Sequence, residues 1–108
     1  MTIYWLVLFL AVFVEIGWAL SLKWVGTSPG LLSVATVTVL TVLNMVMLSF
    51  AMRGIAVGTA YAVWTGLGAV GITLCAVWLY HDPVTPLRFL FIALIISGVV
   101  GLKVTAAS

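Results

Sequence analysis

Two long stretches of this chain contain no Asp, Glu, Lys, Arg or His: positions 24 to 52 and positions 54 to 80. A transmembrane helix needs about 20 apolar residues, so each stretch accommodates one span and a short turn. The flanks read the same way. Four apolar segments follow one another, at about 3–22, 31–52, 57–80 and 87–104, separated by turn chemistry. The turns are Gly26-Thr27-Ser28-Pro29-Gly30, then Arg53-Gly54, then His81-Asp82-Pro83 with Pro86 close behind. Only 6% of the 108 residues are charged and 66% are hydrophobic, against roughly a quarter charged in a soluble domain. A water-soluble surface cannot be made from such a chain. The segments lack the period-2 alternation of a barrel strand, and lipid cannot satisfy open backbone groups, so the expectation is an all-α integral membrane protein. Residues 1–108 then form a single domain of four transmembrane helices, with connections too short for anything outside the membrane.

Several readings fall away on composition. The four basic residues, Lys23, Arg53, Arg88 and Lys103, are scattered and form no nucleic-acid patch. Cys75 is the only cysteine, cannot form an intrachain disulfide, and lies mid-span where packing is its expected role. The first segment lacks the basic start and small-residue cleavage site of a signal peptide. Gly66-Leu67-Gly68-Ala69-Val70-Gly71 fits GxGxxG letter for letter, but it follows no strand and has no acid about 20 positions on. His81-Asp82 stands alone and reads as a solvated turn. No metal site and no cofactor are expected, and the chain does not read as an enzyme.

Glu15 is the exception in the interior of the apolar segments, since Arg88 and Lys103 lie at the ends of theirs. A charge at mid-span costs roughly 2.5–3.5 kcal/mol on insertion scales, and no basic residue lies at its depth; Lys23, two turns on, reaches the interface. Intramembrane acids mark ion and substrate paths. Trp18 follows at i+3 on the same helical face. Tyr61 and Trp64 repeat that spacing in the third span, with Thr65 beside them. Their rings can hold a cation while their O–H and N–H groups orient a carboxylate. Asn44, in the second span, is either a lining residue or a polar bond between helices. Thr36, Thr38, Thr41 and Ser33 are expected to bond their own helix carbonyls.

Loop charge gives no orientation. With four spans, Arg53 and Lys103 face the side of the termini and Lys23 and Arg88 the other, a tie under the positive-inside rule. A chain without bias can insert both ways, and opposite copies can pair. Four short helices enclose little more than their own side chains, so a solute path calls for a second copy. Gly54 and Gly58, Ala62 and Gly66, and Ser97, Gly98 and Gly101 offer close-packing positions, and the fourth helix is expected to serve association. In an antiparallel pair, two Glu15 carboxyls hold protons as one coupled system. A cation entering between them displaces protons, which is the minimum physics of antiport.

The run Gly58-Thr59-Ala60-Tyr61-Ala62-Val63-Trp64-Thr65-Gly66-Leu67-Gly68-Ala69-Val70-Gly71, with Glu15 in the first span and Gly101-Leu102-Lys103 at the end, resembles the small multidrug resistance transporters. Trp18-Ala19-Leu20-Ser21-Leu22-Lys23 resembles their guanidinium-exporting branch rather than the quaternary-ammonium one. The resemblance implies an antiparallel, dual-topology homodimer in the inner membrane that exchanges two protons for one small organic cation. It implies that Glu15 of both copies binds cation or protons alternately and that Trp18 orients the carboxylates. Tyr61 would link the site to the conformational change, Trp64 would line it, and Gly66, Gly68 and Gly71 would let the third helix bend. Val12 stands where the guanidinium-exporter pattern has glycine, and Asn44 where it has serine. Those departures leave open a broader hydrophobic-cation exporter, or a non-transporting subunit of a heterodimer, beside the guanidinium reading.

Overall fold

The computed structural model describes residues 2–106 and consists of four helices: α1 (Ile3–Thr27), α2 (Leu31–Ala51), α3 (Val57–Tyr80) and α4 (Pro86–Thr105). Each is long and apolar enough to cross a membrane. At 1.5 Å per residue α1 runs for about 37 Å, which exceeds the roughly 30 Å hydrocarbon core. It continues beyond the apolar segment read from the sequence, through Lys23 to Thr27. Its final turn closes where the Ser28 amide donates to the Trp24 carbonyl at 2.8 Å, and Pro29 prevents continuation.

The turns carry their own hydrogen bonds. Between α1 and α2, the buried Ser33 hydroxyl donates toward the carbonyls of Ser28 and Gly30, each at 3.2 Å. Between α2 and α3, the amides of Arg53 and Gly54 donate to Phe50 and Ala51. Gly54 is held by sterics: a Cβ there would run into the ring of Tyr4. After α3, His81 adopts the left-handed conformation (φ 56°, ψ 37°), and the Asp82 amide reaches the Ala76 carbonyl at 3.4 Å. That is a Schellman-type end, so His81-Asp82 is a helix stop. At the start of α4 the Thr85 hydroxyl accepts from the Arg88 amide at 3.2 Å, with Pro86 in the first turn.

Helix α1 is the centre of the subunit, packed against both α2 and α3, while α4 packs on α3. The α1 residues Trp5, Leu8, Ala11 and Val12 form a buried stripe at the 3–4-residue spacing of one helix face. They meet Leu48 and Ala51 of α2, Ile55 of the turn, and Ala60, Val63 and Trp64 of α3. Two cations flank the bundle: the Lys103 ammonium lies 4.5 Å from the Trp5 ring centroid and the Lys23 ammonium 4.1 Å from that of Tyr80. The ends of α4 and α1 on the side of the termini are thereby brought together, and likewise α1 and α3 on the other.

The apolar surface lies mainly outside. Leu87, Phe89, Leu90, Phe91, Leu94 and Val100 of α4 are all exposed, as befits side chains that face lipid or another helix. The Cα envelope measures 44 × 36 × 18 Å, a thin slab one span high rather than a closed ring of helices.

Candidate functional site

Glu15 falls on the α1 stripe begun by Trp5, Leu8, Ala11 and Val12, so the register that builds the core also turns the carboxylate inward. It is 9% exposed. Its Oε2 is buried and has no hydrogen-bond partner among the described residues. Gly68 of α3 lies against it, and a Cβ at position 68 would strike the carboxylate. The absence of a side chain at Gly68 is therefore what admits Glu15 between α1 and α3. One turn on, a Cβ at Gly71 would meet the Ile16 side chain, whereas one at Gly66 would stand 3.1 Å from Val99 and 3.3 Å from Ile95 of α4. The three glycines thus serve two faces of an unbroken helix: Gly68 and Gly71 toward α1, Gly66 toward α4.

The aromatic residues are arranged around α2. The Trp64 indole N–H donates to Asn44 Oδ1 at 3.2 Å, and both side chains are buried, Asn44 with 2% exposure. Asn44 is therefore a polar bond between α2 and α3 that fixes the edge of the Trp64 ring. Tyr61 packs against Trp64 with centroids 5.7 Å apart and planes tilted by 53°, yet is 54% exposed, so its ring lies on the outside of the single subunit. Thr65 returns its hydroxyl to the Tyr61 carbonyl at 2.8 Å. Val12 is buried in the α1 stripe.

Trp18 does not bond the carboxylate of its own subunit. Its indole N–H donates to Thr41 Oγ1 at 2.7 Å. Within one copy, α2 thus presents the hydroxyl acceptor for the Trp18 indole edge. Thr36, Thr38 and Thr41 do bond carbonyls four residues back, at 2.8, 2.9 and 2.8 Å. Thr41 has the second role as well. Sequence reasoning passed over it, although a hydroxyl keeps acceptor lone pairs after donating its proton and Thr41 precedes Asn44 by three residues.

The predicted residues are thus joined in three local groups: Glu15 with Gly68, Trp18 with Thr41, and Trp64 with Asn44 and Tyr61. No three His, Cys, Asp or Glu side chains converge among the described residues. The chemistry on offer is a buried carboxylate oxygen without a donor among the described residues, with the indole N–H groups of Trp18 and Trp64 engaged by α2.

A thin four-helix subunit with apolar flanks and one inward carboxylate at mid-span defines a multi-pass membrane protein with an intramembrane acid. The profile of the family described as Small Multidrug Resistance protein matches residues 3–95. The chain belongs to that family. Among its relatives, the guanidinium exporter of Salmonella typhimurium (strain LT2) is 42% identical over 103 residues, covering 94% of this chain and 97% of the relative. The guanidinium exporter of Escherichia coli K12 is 42% identical over 102 residues, covering 94% and 96%. That of Citrobacter freundii is 40% identical over 105 residues, with the same coverage.

Proposed function

We propose that this protein is a proton-coupled antiporter that exports guanidinium or small guanidinyl cations across the inner membrane. It works as an antiparallel homodimer in which Glu15 of both copies forms the shared site. The observation that carries the reading is the buried Glu15 Oε2 without a donor. A buried acceptor left unpaired costs roughly 1–3 kcal/mol, and more when charged. A proton or a cation with N–H groups relieves that cost, and the two compete for the same atoms. Guanidinium suits the role because its planar N–H groups meet carboxylates in pairs. The relatives named guanidinium exporters support this cargo.

The requirement for a second copy is supported by the flatness of the subunit and by the open apolar face of α4. Tyr61 is exposed beside the buried Trp64, which suits a residue that meets the partner subunit. Gly66, Gly68 and Gly71 leave α3 without side chains on two faces, where it would bend or slide between inward-facing and outward-facing states.

Purified protein in liposomes with an entrapped pH dye tests the reading. A guanidinium gradient drives opposed proton movement in the wild type, and Glu15→Gln abolishes it. Equal proton movement with a hydrophobic quaternary cation favours the broader exporter. No movement with either cation supports a subunit that requires a different partner.

A further inference from the structure

Away from Glu15, the end of α3 and the start of α4 leave a crevice between them. Thr73, Leu74 and Val77 of α3 line it together with Val84 of the turn and Phe89 and Ile92 of α4. All of these are apolar except Thr73. Leu74, Val84 and Phe89 are exposed, so the crevice opens on the outside of the subunit. Both of its walls are helices long and apolar enough to cross a membrane, and the solvent on that outer face is lipid.

Arg88 stands at the end of the crevice nearest the turn. The Thr85 hydroxyl takes the Arg88 amide at 3.2 Å, and Pro86 fixes the first turn of α4. The Arg88 Nη1 then donates to the Pro83 carbonyl at 3.3 Å. The guanidinium is thereby folded back over the turn that ends the span, at the level where long basic side chains reach the membrane boundary. That carbonyl is its only partner among the described residues, and Asp82 of the same turn forms no ion pair with it there. The rest of its N–H fork matches two oxygens of a phosphate.

We propose that this crevice binds one anionic phospholipid, with the phosphate paired to the Arg88 guanidinium and one acyl chain laid between α3 and α4. Arg88 and Ile92 are one helical turn apart, about 6 Å along the axis, so the crevice holds the first methylenes below the headgroup. Charge decides the class of lipid. A zwitterionic headgroup carries its own ammonium beside the phosphate and competes with Arg88, whereas an anionic headgroup does not. Such a site does not depend on transport.

The test places the purified protein in phosphatidylcholine vesicles with a trace of phosphatidylglycerol that carries a photoactivatable group on its acyl chain. After irradiation, peptide mapping is expected to find the lipid on residues 73–77 and 89–92. Excess unlabelled phosphatidylglycerol removes the label; equal amounts of added phosphatidylcholine or inorganic phosphate do not. Arg88→Gln lowers labelling of these residues roughly fivefold, the worth of one basic residue beside an anionic lipid. Arg88→Lys retains part of the preference, and Arg53→Gln, at the opposite end of the bundle, leaves it unchanged. Equal labelling by a phosphatidylcholine probe, or undiminished labelling in R88Q, overturns the recognition of charge by Arg88. Absence of lipid label at these residues, with the photoactivated contact replaced by one between two copies of the chain, shows a second subunit in the crevice and overturns the lipid site.

Discussion

Gly68→Ala tests the packing that surrounds the carboxylate. Alanine in place of glycine inside a helix gains about 1 kcal/mol of intrinsic propensity, so in open space the change would stabilise α3. At position 68 the added Cβ would strike the Glu15 carboxylate. Overpacking of a tight site costs about 1–3 kcal/mol. The net effect is therefore a loss of up to about 2 kcal/mol. The clash falls on the far end of a flexible side chain, so Glu15 also swings away from its place between α1 and α3. Thermal unfolding in detergent, read beside proton-coupled guanidinium flux in liposomes, separates the two consequences. G68A is expected to lose most of its flux with a modest loss of stability. Gly26→Ala, in the last turn of α1 where a Cβ meets nothing within 4 Å, is expected to keep both. A G68A protein as stable and as active as G26A would refute the reasoning.

Further substitutions probe other links. Asn44→Leu strands the buried indole N–H of Trp64 and is expected to destabilise by about 1–3 kcal/mol. In detergent unfolding, that loss shrinks when Trp64→Phe is already present, since no N–H is then left unpaired. Thr85→Ala removes the N-cap of α4 and is expected to cost about 1 kcal/mol of stability with unchanged flux, because Thr85 lies far along the chain from every site residue. His81→Gly relieves the left-handed backbone at the end of α3 and is expected to raise the unfolding temperature slightly; a fall would show that the His81 side chain itself holds the turn.

The four apolar helices were legible because lipid leaves few alternatives and because Pro29, Gly54, Pro83 and Pro86 mark the turns. Glu15 was legible as an anomaly, while the buried stripe of Trp5, Leu8, Ala11 and Val12 that turns it inward emerged only with the packing of α1 against α2 and α3. What the spacing within a helix does not specify is the height at which two helices meet. The Trp18 N–H reaches Thr41 rather than Glu15, and Asn44 reaches Trp64, because α2 stands at a particular axial position beside α1 and α3. The glycines show the same limit. Gly66, Gly68 and Gly71 read as one run, yet they divide between α4 and α1 because two residues along a helix turn a side chain to the opposite face. The extra role of Thr41 was hidden for a chemical reason: a serine or threonine that bonds its own helix looks satisfied, while its oxygen still accepts.

The central claim is that the Glu15 carboxylate is the atom group for which proton and cation compete. Its most direct test is proton movement driven by a guanidinium gradient in liposomes of wild-type and Glu15→Gln protein. The account predicts opposed proton and guanidinium fluxes in the wild type and neither coupled flux in E15Q, with both proteins folded and equally reconstituted. Coupled exchange that persists in E15Q would contradict it.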